Sequence, residues 1–231
     1  MPATRGDGAL SEAQTRSIEG VIERYLGDHP ELVGYAIHTL QERQKSATLA
    51  QQQGAVKAKG DAIFRDPADL VLGNPQGDVT LVEFFDYRCP YCKRAAPDVA
   101  EAVKADGHIR LVLKEFPILG PNSQLAARAA LASAKQGKYA TFHAALLAAK
   151  SDLDEASVMA IAEANGIDTG RLAEDMKDPA IEAQIKRNFD LADALRIEGT
   201  PAFVIGDKLV PGAIDKAEIE KLARETRETK G

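Results

Sequence analysis

The chain has two cysteines among its 231 residues, and both lie in one segment, Cys89-Pro90-Tyr91-Cys92. Two thiols at this spacing can close into one small disulfide ring or open to a dithiol, and a thiolate attacks the disulfide of another molecule. The surrounding pattern places them for this chemistry. Val79-Thr80-Leu81-Val82-Glu83-Phe84-Phe85 is β-branched and aromatic, as in a buried strand. Lys93 to Lys104 carries Ala95, Ala96, Val99, Ala100 and Val103 at helical spacing. The motif therefore sits where a strand ends and a helix begins, with Cys89 at the helix N-terminus. There, unpaired N–H groups and the positive end of the dipole favour a thiolate. Cys92, one turn inside, can close the ring or resolve a mixed disulfide. A zinc site needs further ligands. No cysteine remains to supply them, and His29, His38, His108 and His143 show no paired spacing. A structural disulfide closing so short a loop would constrain little of the unfolded chain.

A second candidate element lies far downstream. Glu198-Gly199-Thr200-Pro201-Ala202-Phe203-Val204-Ile205 reads as a turn, a proline and an apolar strand. Taken alone it is an ordinary strand start, where proline is tolerated. Together with the dithiol motif it resembles the thioredoxin superfamily. The resemblance implies that the Thr200–Pro201 bond is cis, faces the cysteines, and turns its backbone toward an extended client peptide.

The segment from Glu83 to Lys93 is similar to the active-site segment of DsbA-like proteins. The phrase Gly73-Asn74-Pro75-Gln76-Gly77-Asp78 recurs in that group, and a long helical stretch, about 122–195, matches its helical insertion. This resemblance covers residues 62–229. It implies an α/β thioredoxin fold and a proton-transfer role for Glu83. A carboxyl buried below the cysteines is driven toward its neutral form and can take the proton of the resolving thiol. The other reading of Glu83 is a solvated or lysine-paired side chain. Pro90, which lacks an N–H, and Tyr91, which can shield the sulfur or stack on a client, are the expected redox-tuning residues. Lys93 and Arg94 add positive charge nearby. Asp86 and Tyr87 match the family pattern without an assigned role, and His108 and His143 read as surface or half-buried residues.

Stepping upstream, Ser11–Leu26 reads as a helix with Ile18, Val21, Ile22, Tyr25 and Leu26 on one stripe. Pro30 restarts the helix, and Leu32, Val33, Ala36, Ile37 and Leu40 form a second stripe. The first eight residues are Gly-rich and expected to be disordered. Residues 9–45 are thus a candidate oligomerisation segment, 46–60 a polar connector that is either a solvated helix or a flexible link, and 61–231 the catalytic domain. Within the last, Ala62-Ile63-Phe64, Val79–Phe85, Ile109–Phe116, Ala202–Ile205 and Lys208–Val210 are expected strands. Helices are expected over Cys89–Ala105, Ser123–Lys135, Lys138–Lys150, Glu155–Asn165, Thr169–Met176, Pro179–Leu195 and from Asp215 to about Arg227.

The N-terminal segment narrows the resemblance to a branch similar to the suppressor-of-copper-sensitivity thiol isomerases and Com1-type surface proteins. That branch implies a homo-oligomer, with a trimer favoured. It also implies periplasmic work on misfolded or reduced client proteins and a membrane thiol reductase of the DsbD or ScsB kind as partner. The net charge of −6 argues against nucleic acid. No apolar run reaches membrane-span length, and no signal peptide is visible, which reads as a mature form behind an added methionine. No cofactor is expected beyond the Cys89–Cys92 disulfide. The leading function is disulfide isomerase; a dithiol oxidase and a Cu(I)-binding protein held by the two thiolates are the alternatives.

Overall fold

The structure is a computed structural model that describes residues 10–229. The expected disorder of the first eight residues lies outside the described residues. The chain divides into two units, 1–51 and 52–231.

In the first unit, α1 (Glu12–Asp28) starts at a capping box: the Ser11 hydroxyl accepts from the Gln14 backbone N–H, and the Gln14 side chain accepts from that of Ser11. No residue of α1 is buried. Its apolar stripe, Ile18 to Leu26, stays 41–55% exposed. α2 (Pro30–Ala58) begins at Pro30 and continues helically through Gly54. Its apolar residues Leu32, Val33, Ile37 and Leu40 are exposed too. The polar stretch after residue 41 is therefore a helix, the first of the two forms left open by its sequence.

The second unit begins earlier than expected. Val56, on the last turn of α2, is only 2% exposed and packs in one core with Ile63, Phe84, Val112 and Leu191. The boundary moves from residue 60 to residue 51 because a single large apolar side chain in a polar stretch is enough to tie it to the core. Ala62-Ile63-Phe64 is not a strand but part of α3 (Gly60–Phe64). The helical turn puts Ile63 into the core and leaves its last carbonyls to basic side chains. Lys114 donates to the Ala62 carbonyl at 2.7 Å, and Arg110 to that of Phe64 at 2.8 Å.

A five-stranded sheet follows, in the order β1-β3-β2-β4-β5. β1 (Leu70–Gly73), not foreseen in the sequence, pairs antiparallel with β3 (Ile109–Glu115). β2 (Val79–Phe85) runs parallel to β3 and antiparallel to β4 (Ala202–Ile205). β5 (Lys208–Pro211) closes the other edge. Gly73 has a φ of 70°, and a Cβ there would sit 2.6 Å from the Ile109 carbonyl oxygen. A Cβ on Gly77 would come within 2.3 Å of the His108 oxygen. Close backbone approach thus requires both glycines of the 73–78 phrase.

Both sheet faces are covered. Leu81 and Phe85 share a core with Val99 and Val103 of α4 (Pro90–Asp106), whereas Val82 and Phe84 pack toward Val56 and Ile63. The helical insertion comprises α5 (Pro121–Ser133), a 3-10 turn (Ala134–Gln136), α6 (Tyr139–Ala148), α7 (Glu155–Ala164), α8 (Thr169–Asp175) and α9 (Pro179–Ala194). α10 (Lys216–Glu228) is capped by Asp215, which accepts from the Glu218 N–H.

Lys114 and Asp69 form an ion pair at 2.6 Å with both side chains 1% exposed. Breaking such a pair strands a buried charge or carbonyl. Lys114→Met should destabilise the reduced protein by about 3 kcal/mol, read as a lower urea midpoint at pH 7.5. An unchanged midpoint would show that the pair does not hold α3 to the sheet.

Candidate active site

The strand β2 delivers the loop Asp86-Tyr87-Arg88, and each residue of that loop is fixed by a different element. Asp86 is buried; it accepts from the Arg88 N–H at 2.7 Å, the Ser123 hydroxyl at 2.8 Å and the Leu119 N–H at 2.9 Å. The Tyr87 hydroxyl donates to Glu115 Oε1 at 2.9 Å and lies 3.0 Å from His143 Nδ1. Tyr139 donates to the same Glu115 oxygen at 2.9 Å. Burial pushes the Glu115 carboxyl well above the usual carboxylate range, and burial lowers the His143 imidazole to about 3. Arg88 donates to Asp152 and to the Leu119 carbonyl. The helical insertion therefore grips the loop that presents the cysteines. His143 is buried rather than the surface or half-buried residue expected. Its sequence neighbours on α6 gave no sign of this, because its hydrogen-bond partner Tyr87 lies 56 positions upstream. Nothing in the sequence pointed to Glu115 or Tyr139 as supports of the loop.

Cys89 is the N-cap of α4 and Pro90 its first residue, where a missing N–H costs nothing. The Cys89 N–H donates to the Asp86 carbonyl at 3.1 Å, and its own carbonyl accepts from Lys93 at 3.0 Å. Cys92 lies inside the first turn and is 0% exposed. Burial pushes its thiol strongly up, and charge on Cys89 or Glu83 would push it further. Cys89 is 4% exposed, so it is less accessible than the helix-start position implies, although it remains the outer of the two sulfurs. Tyr91 is 55% exposed, with the Arg94 guanidinium 4.7 Å from its ring centroid.

The downstream element meets the cysteines here. The Cys89 thiol donates to the Thr200 carbonyl at 3.1 Å, and the Thr200–Pro201 peptide is cis. The Pro201 carbonyl accepts from Gly212 at 2.8 Å, which ties the turn to the far side of β5. Glu198, Gly199, Thr200 and Pro201 line a cavity of about 420 Å³ with Tyr91 and Gln52.

Glu83 points to the same sheet face as Leu81 and Phe85, under α4, because residues two apart in a strand share a face. It is neither solvated nor lysine-paired: it is 3% exposed, and its Oε1 has no hydrogen-bond partner. Burial pushes its carboxyl up to about 8. A buried acid that titrates near 8, under the helix that carries Cys92, can pass a proton to or from that thiol. Among the described residues there is no group of three or more His, Cys, Asp or Glu that could hold a metal, and no helix is long and apolar enough to cross a membrane.

Comparison with known proteins bears on the same residues. The DsbA-like thioredoxin domain matches residues 80–224. A thioredoxin-like oxidoreductase from Silicibacter pomeroyi DSS-3 is 48% identical, with a TM-score of 0.72, over 73% of this chain and 97% of that one. A linker-deletion variant of ScsC from Proteus mirabilis is 28% identical, with a TM-score of 0.73, over 97% of this chain and all of that one. Among curated relatives, the Na(+)/H(+) antiporter NhaA 3 of Salinispora tropica is 34% identical over 169 residues, which are 72% of this chain and 26% of the antiporter. The chain thus spans about a quarter of that relative's length.

Proposed function

The chain belongs to the DsbA-like thioredoxin domain family, and from that premise we propose that this thiol–disulfide oxidoreductase works as an oligomeric protein disulfide isomerase. The Cys89 thiolate attacks one sulfur of a wrong client disulfide. A Cys89–client bond forms, and the other client sulfur leaves as a thiolate. A different client thiolate then attacks the client sulfur of the mixed disulfide, makes the new bond and expels Cys89. No electrons are gained or lost over this cycle. Thr200 and Pro201 hold the client backbone beside the sulfur, and Pro90 and Tyr91 set the redox poise. When the cycle stalls, Cys92 attacks the Cys89 sulfur. This frees the client reduced and leaves the Cys89–Cys92 disulfide, while the ionised fraction of Glu83 takes up the Cys92 proton. A membrane thiol reductase must then return the pair to dithiols. This reading puts the protein in the periplasm and links it to copper tolerance, as in the branch it resembles.

The observation that carries isomerase over oxidase is the uncovered apolar faces of α1 and the first half of α2, in a chain whose second unit already holds the whole dithiol site. Short helices with exposed apolar stripes are marginal alone, so copies of them assemble, as a trimer in this reading, and bring several dithiols to one client. The oxidase reading draws on the same site, since direction depends on potential and partner.

The test compares the full chain with residues 52–231, the cut that preserves Val56. Light scattering should give an oligomer for the first and a monomer for the second. Both should reduce a simple disulfide, but only the oligomer should restore activity to a scrambled-disulfide substrate. A monomeric full chain, or a truncated one that isomerises equally well, removes the isomerase reading. An oligomer that only oxidises hands the function to the oxidase.

A further inference from the structure

A large cavity lies away from the client side of the cysteines. It is an open groove of about 880 Å³ running along α4 against α6. Small residues at i, i+4 spacing form both walls: Ala96 and Ala100 on α4, and Ala140, Ala144 and Ala148 on α6. The floor is aliphatic, from Val99, Leu111 and Leu147, and His143 supplies the only aromatic ring in the lining. Such a lining suits a flexible hydrocarbon chain better than a flat aromatic ligand, which gains from ring stacking. Lys93 and Lys104 bound the groove eleven residues apart on α4, a length of about 16 Å.

Two groups at the active-site end call for a polar ligand atom. Glu83 lines the groove with Oε1 unpartnered. Because burial pushes it up to about 8, it carries a proton to donate at neutral pH. Lys93 uses one donor on the Ala149 carbonyl and retains two. The remaining charge on the rim, Lys104, is also positive, so the groove favours an anion.

We propose that the α4–α6 groove binds a free fatty acid, with its carboxylate between Glu83 and Lys93 and its alkyl chain laid along the alanines toward Val103. The carboxylate accepts from the Glu83 acid and the Lys93 ammonium, which satisfies the one polar atom at the groove floor that the protein leaves unpaired. The chain covers exposed aliphatic surface on two helices. No bond is made or broken. Bound fatty acid would also sit between Glu83 and water, so it would bear on the proton that Cys92 exchanges.

The experiment is calorimetric titration of the full reduced protein with tetradecanoate, below its micelle concentration, at pH 7. One molecule should bind per chain, saturably. Ala144→Phe fills an exposed wall position and should weaken binding about tenfold or more while leaving dithiol reduction unchanged. Lys93→Met should weaken it several-fold. Tetradecyltrimethylammonium, with the same chain and the opposite charge, should bind at least about tenfold more weakly. Absence of saturable binding overturns the proposal. So does full binding by Ala144→Phe, which would move the ligand to the apolar stripes of α1 and α2. Equal binding of the cationic amphiphile overturns it as well.

Discussion

Replacing Cys92 by alanine will leave a protein that captures clients and cannot let them go, whereas replacing Cys89 will leave one that captures nothing. The outer sulfur is the one beside the Thr200 carbonyl, at 3.1 Å, where a client backbone can reach it. The inner sulfur is fully buried and held protonated by that burial. Only a thiolate attacks, so in the proposed cycle Cys89 takes the first half-reaction and Cys92 the escape. On a non-reducing gel, Cys92→Ala should accumulate adducts with a reduced, thiol-reagent-activated client protein, and dithiothreitol should dissolve them. Cys89→Ala should show none, and its exchange rate should fall to background. Alkylation of the reduced wild-type protein followed by peptide mapping should label Cys89 first. Initial labelling at Cys92, or adducts on Cys89→Ala, would reverse the assignment of the two sulfurs.

Glu83→Gln should make the protein markedly more stable at alkaline pH and leave it nearly unchanged at acid pH. The carboxyl titrates near 4.5 when the chain is unfolded and near 8 when it is buried under α4. Between those values the folded protein keeps a proton that the unfolded chain has lost. Stability therefore falls as pH rises from about 4.5 to about 8 and stays low above that. Glutamine is neutral throughout and removes this fall. The shift corresponds to a gain of at most about 5 kcal/mol at pH 9, which relaxation around the charge will reduce. Urea unfolding of the reduced proteins at pH 5, 7 and 9 should show the two stability curves meeting at low pH and parting as pH rises. Parallel curves would mean that Glu83 does not stay protonated in the fold. Glu115 titrates in both proteins, so only its coupling to the Glu83 charge enters the difference. The same substitution should slow the release of stalled adducts, because Cys92 loses its proton acceptor.

The strand–CxxC–helix order, the turn before Pro201, the caps at Ser11 and Asp215 and most helix limits are local properties. Each rests on a periodicity or a cap within one stretch of chain, so the sequence by itself determined them, and with them the thiol chemistry. The errors fall where local pattern is silent. Ala62-Ile63-Phe64 is too short to show a period, and the basic side chains that donate to its helical carbonyls come from β3, some 50 residues on. β1 is an edge strand whose existence depends on pairing with β3. Val56 sits in a polar stretch, and only the core it enters makes it part of the catalytic unit.

The site divides in the same way. Cys89, Cys92 and the proline were legible because their spacing and neighbours carry the pattern. That Glu83 faces α4, that its oxygen lacks a partner, and that Tyr87, Glu115, Tyr139 and His143 brace the loop were decided only by tertiary structure. A strand residue has two faces to choose between, and the choice is made by what packs on each. A buried polar group finds its partner, or fails to, among residues that the sequence keeps far apart.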